Sequence, residues 1–85
     1  MAWKGGAKVG TGHVTSISLG GLFITTPNPP DAGSVVQLLF DVRGGEVRAR
    51  AVVKRVLPAQ GMGVQFIGMG YDDRGRLYLL LKQLL

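Results

Sequence analysis

Between Glu46 and Leu57 apolar and basic side chains take turns along the chain. Val47, Ala49, Ala51, Val53 and Leu57 share one parity, and Arg48, Arg50 and Lys54 the other. Successive residues of an extended chain point to opposite faces, so this alternation specifies a strand with one face in a core and one in water. Shorter runs of the same character surround it. Val35 to Val42 is β-branched and apolar, Leu22-Phe23-Ile24-Thr25-Thr26 reads as a strand, and Met62, Val64 and Phe66 alternate with small or polar residues. From Lys8 to Ser18 a weaker strand pattern puts Val9, Thr11, His13, Thr15 and Ile17 on one parity, with glycines and Val14 on the other. Turn signals separate these runs: Ser18-Leu19-Gly20-Gly21, the proline loop from Pro27 to Gly33, Arg43-Gly44-Gly45-Glu46, and Pro58 to Gly61. Short strands at close spacing predict a barrel or sandwich.

After Tyr71 the period changes. Leu77, Leu80, Leu81 and Leu84 sit at i, i+3, i+4 and i+7, one stripe of an amphipathic helix. Asp72 and Asp73 precede it, where carboxylates suit free N–H groups and the helix dipole. Gly75 weakens that first turn, so the helix is expected to begin in earnest near Arg76. Leu79 and Leu85 widen the stripe beyond one packing face and form a candidate partner or self-association surface. Residues 1–7, with Gly5-Gly6, read as a flexible arm, and 8–85 as one domain. Trp3 in that arm offers a face for stacking on a purine, but it is expected either to pack on the barrel or to stay loose.

Composition narrows the function. The chain has no cysteine, which excludes disulfides and thiolate metal sites. A single histidine and scattered carboxylates suggest neither a metal constellation nor a catalytic triad, so no enzyme, metal or cofactor is expected. No apolar run is long enough to span a bilayer, so membrane insertion is not expected and a cytoplasmic location is. The net charge of +5 favours anionic partners without choosing among them. Arg48, Arg50, Lys54 and Arg55 make a basic strand face, but no aromatic is interleaved there to stack on bases. Nucleic acid is thus a minor alternative.

The segment Ser16-Ile17-Ser18-Leu19-Gly20-Gly21-Leu22-Phe23-Ile24, a proline loop ending in Gly33, two strands, Gly61-Met62-Gly63-Val64-Gln65-Phe66 and a Leu-rich helix follow one another in an order that resembles the PilZ domain family. The resemblance covers about residues 14–85. It implies a mainly β fold: a small antiparallel, six-stranded PilZ-like barrel (a split barrel) with one C-terminal α-helix. It also implies a non-catalytic bacterial signalling module that receives the second messenger cyclic di-GMP. Such modules serve motility, pilus assembly, exopolysaccharide synthesis and transcription. In the family, ligand binding uses an Arg-x-x-x-Arg arm and an Asp/Asn-x-Ser-x-x-Gly strand end. Ser18 and Gly21 match the second motif, with Ser16 in the place of the acidic or amide residue. Lys4 and Lys8 have the spacing of the first, with lysine for arginine. The resemblance therefore implies a cyclic di-GMP site at Lys4, Lys8, Ser16, Ser18 and Gly21. Lysine is a point charge where arginine offers a planar fork, and a serine hydroxyl is shorter than a carboxylate or amide. Each good contact to a charged group contributes about 1.5–3 kcal/mol, so these departures predict a degenerate, weak site. The alternative is a PilZ-like adaptor that takes no nucleotide and works by protein contacts, through the Leu-rich helix (also a candidate self-association surface) or the barrel face.

Overall fold

The computed structural model describes residues 1–42 and 44–84. Seven strands precede one helix: β1 (Ala2–Gly5), β2 (Lys8–Thr11), β3 (His13–Ile17), β4 (Gly21–Thr25), β5 (Val35–Val42), β6 (Gly45–Leu57), β7 (Gly61–Met69) and α1 (Tyr71–Leu84). All pairings are antiparallel, in the order β2-β1-β5-β6-β7-β4-β3. The two ends of that order, β2 and β3, are consecutive in the chain and joined through Gly12. They are two halves of one bent segment: the first pairs with β1, the second with β4. The single strand expected from Lys8 to Ser18 is this segment with a bend in it. Counting it once gives the six strands that the resemblance implies.

Gly12 permits the bend. Its backbone exchanges hydrogen bonds with Met1, the Gly12 N–H donating to the Met1 carbonyl at 3.0 Å and the Met1 ammonium to the Gly12 carbonyl at 3.0 Å. A side chain at Gly12 would collide with the Thr25 carbonyl oxygen and the Ile24 side chain. The chain therefore passes close over β4, and only a residue without Cβ fits there.

Alternation fills the interior. Leu22 and Ile24 of β4, Val36, Leu38 and Phe40 of β5, Val47, Ala49, Ala51 and Val53 of β6, and Met62 and Val64 of β7 are all buried. Leu77 of α1 covers the end of this core and is 1% exposed. Leu80 and Leu81 pack against the core, while Leu79 and Leu84 face outward. Leu85 and Arg43 lie outside the described residues. Gly44 and Gly45 of the β5–β6 hairpin have φ of 94° and 147°, which only glycine adopts at low cost.

The structure revises five sequence expectations, the first being Leu84, which leaves the packing stripe of Leu77, Leu80 and Leu81 and is 64% exposed. Residues 2–5 form β1, paired on both sides, instead of a flexible arm. Trp3 is 4% exposed, and its indole N–H donates to Thr26 Oγ1 at 3.3 Å. The alternation of β6 holds only to Val53, because the register slips between Val53 and Arg55. One extra residue at such a bulge reverses the parity beyond it. Val56 therefore packs against the core and Leu57 turns to solvent. A similar slip between Val14 and Ser16 lets Val14 and Ile17, of opposite parity, both pack inward. Finally, α1 begins at Tyr71, not at Arg76. Two contacts hold its first turns to the sheet end despite Gly75. Asp73 Oδ1 accepts from the Arg48 N–H at 2.9 Å, and Arg76 Nη1 donates to the Glu46 carbonyl at 3.2 Å.

Candidate functional site

The turn from Ser18 to Gly21 joins β3 to β4 and is built by its own residues. The Ser18 N–H donates to the Gly21 carbonyl at 2.8 Å, and Ser18 Oγ accepts from the Gly20 N–H at 3.2 Å and lies 3.3 Å from the Gly21 carbonyl. The Phe66 N–H, donating to the Gly20 carbonyl at 2.9 Å, pins the turn to β7. A side chain on Gly21 would strike the Val64 carbonyl, so glycine is required where β4 meets β7. Ser18 and Gly21 are thus structural residues of this turn, and Leu19 at its tip is 55% exposed.

Register extends the site across the outer face of the sheet. Leu22 and Ile24 point inward, so Gly21, Phe23 and Thr25 point outward. Phe23 is paired with Ser16 on β3 and with Gly63 on β7, and Gly63 is paired with Arg55 on β6. Gly21 is paired with Gln65. Gly63 forms a bare trough: a Cβ there would lie 3.7 Å from Phe23 Cδ2 and 3.9 Å from Arg55 Cβ. The half-buried Phe23 ring and the exposed Arg55 stand on either side of it. Among the described residues Arg55 has no ion-pair partner. An aromatic face, a guanidinium, the Gln65 amide and the Ser16 hydroxyl thus share one surface beside the turn. That set can stack on a planar base, grip an anionic oxygen and hydrogen-bond a base edge.

Of the five residues implied as ligand contacts, Ser16, Ser18 and Gly21 come together here, whereas Lys4 and Lys8 do not join them. Both lysines belong to the β1–β2 hairpin, where Lys4 is paired with Val9 and Lys8 with Gly5. Lys8 and Ser18 stand at opposite ends of the bent β2–β3 segment. Lys4 lines a groove with Gln37 and Arg50, and Lys8 a hollow with Trp3, Thr26 and Pro27. Phe23, Arg55 and Gln65 went unrecognised in the sequence as site residues. The bulge before Arg55 hides its pairing with Gly63, and only the β4–β7–β6 register puts it beside Phe23.

Among the described residues no group of three His, Cys, Asp or Glu side chains could hold a metal ion. No helix is long and apolar enough to cross a membrane.

Fold and site together define a class: a curled antiparallel sheet, capped by a C-terminal helix, that presents a polar and aromatic outer surface beside one tight turn. The chain belongs to the PilZ domain family, whose model matches residues 2–83 of the 85. PilZ domains are in general non-catalytic binding modules of cyclic di-GMP signalling. No curated protein and no solved structure gives a match to this chain.

Proposed function

We propose that this chain is a cyclic di-GMP receptor or effector module whose nucleotide site is degenerate and weak. The observation that carries the reading is the convergence of Ser16, Phe23, Arg55 and Gln65 on one outer surface at the Ser18–Gly21 turn. A guanine base stacks on Phe23, Gln65 and Ser16 meet its edge, and Arg55 receives a phosphate. The site lacks the two arginines of the family's arm motif, and Lys4 and Lys8 stand away from it, so one guanidinium must carry most of the charge recognition. Binding in the high micromolar to millimolar range follows. The site performs no chemistry and acts in the cytoplasm by presenting a changed surface to a protein partner.

Calorimetric titration of the chain and of Arg55→Ala with cyclic di-GMP tests this. Loss of a charge-assisted contact of about 1.5–3 kcal/mol weakens binding roughly 10- to 100-fold. Equal affinity of the two proteins would remove Arg55 from the site.

The exposed apolar residues of α1 support a second reading, a PilZ-like adaptor that works by protein contact alone. Leu79 is 57% and Leu84 64% exposed on one helix. Sedimentation that shows a dimer, dispersed by Leu79→Lys, would support the self-associating form of this reading.

A further inference from the structure

A second binding surface lies on other strands. On the outer face of β1, β5, β6 and β7, Lys4 is paired with Gln37, Gln37 with Arg50, and Arg50 with Gly68. The next row is Ala2, Leu39 and Arg48. Strands lie about 4.8 Å apart, so Lys4 and Arg50 stand roughly 10 Å apart across Gln37. Both side chains are long enough to reach across it, and in the structure Arg50 lies the other way, over Gly68 of β7. Val9, which is 71% exposed, and the 37% exposed Leu39 give the same surface an apolar floor. The whole is a groove of about 850 Å³ with Asp73 at its far wall. That volume is within the range of small-molecule sites, roughly 300–1,000 Å³.

The charges in the groove are not equivalent. Arg48 stands 3.8 Å from Glu46, and the Asp73 carboxylate already accepts from the Arg48 N–H and lies 3.9 Å from Arg76. Among the described residues Lys4 and Arg50 have no ion-pair partner. Gly68 leaves its place to Arg50, since a Cβ there would come within 3.3 Å of Nε. Two cations without an ion-pair partner thus line one groove, beside exposed apolar side chains that water solvates poorly.

We infer that this groove binds a small amphipathic organic anion. An aryl or acyl body rests on Val9 and Leu39, and one phosphate or carboxylate meets Lys4 and draws the exposed Arg50 side chain from Gly68 across Gln37. A neutral apolar molecule leaves the cations unpaired, and inorganic phosphate leaves the apolar floor wet, so both halves of the ligand are needed. The groove shares no residue with the Ser18–Gly21 site, so the two readings stand or fall separately.

The probe is 1-naphthyl phosphate, titrated into the isotope-labelled chain and followed by amide NMR shifts, with inorganic phosphate as control. Saturable shifts at Lys4, Val9, Gln37, Leu39 and Gly68 are expected, with inorganic phosphate binding roughly tenfold more weakly. Arg50→Glu should weaken the probe at least tenfold, and Lys4→Glu gives a second, independent test. Both residues are exposed, so amide shifts away from the groove report whether each variant stays folded. Equal binding of inorganic phosphate, shifts that map elsewhere, or folded charge-reversal variants that bind as before would overturn the inference.

Discussion

Trp3 shows what one side chain contributes and why its neighbours hide the fact. In the sequence it stands third from an end among glycines, and nothing nearby marks it as core. Its partners are distant: Thr26 accepts from its indole, and Gly10 leaves the space its ring fills, a Cβ there falling 2.6 Å from Trp3 Cζ2. Trp3→Ala should cost about 3–5 kcal/mol in denaturant unfolding, the usual range for emptying a buried aromatic site. A loss below about 1 kcal/mol would mean that β1 is not docked as described. Ser18 is the opposite case: the sequence motif marks it, and the structure gives its hydroxyl a local task. Ser18→Ala should destabilise by about 0.5–1.5 kcal/mol, measured in the same way, because the Gly20 N–H loses an acceptor at an exposed turn.

At the scale of elements, alternation is legible wherever the ladder is regular and fails where it slips. Parity assigns Val47 to Val53 correctly because β5 and β6 pair residue for residue from Val35–Val52 to Val42–Gly45. It misassigns Leu57 because a bulge adds a residue and carries no local signature in Lys54-Arg55. The helix start is misjudged for a related reason. Propensity counts Gly75 against the first turn but cannot count Asp73 and Arg76 reaching the β5–β6 hairpin and β6. Asp73→Ala should therefore leave the Arg48 N–H without its acceptor. Amide exchange at residues 71–74 and at Arg48 should rise at least several-fold while the rest of β6 stays protected. Gly75→Ala should act the other way. A Cβ there meets nothing within 4 Å, so lower backbone entropy in the unfolded chain should stabilise by about 0.5–1 kcal/mol, seen as a raised midpoint of thermal unfolding.

At the scale of the whole molecule the site depends on one segment, residues 8–17, pairing on both sides of Gly12. That bend brings β3 back to β4 and sets the Ser18–Gly21 turn against β7, from which the outer surface of Phe23, Gly63 and Arg55 follows. The family order of motifs was readable, since each motif is a run of consecutive residues. The composition of the site was not, since it depends on which strands become neighbours. The proposed function requires this surface to recognise cyclic di-GMP, weakly. Amide NMR shifts of the labelled chain during titration with cyclic di-GMP, with GTP as control, test it most directly. Saturable shifts are expected at Ser16 to Gly21, Phe23, Gly63, Arg55 and Gln65, and none in the β1–β2 hairpin. Silence at millimolar cyclic di-GMP, or shifts centred on Lys4 and Lys8, would contradict it.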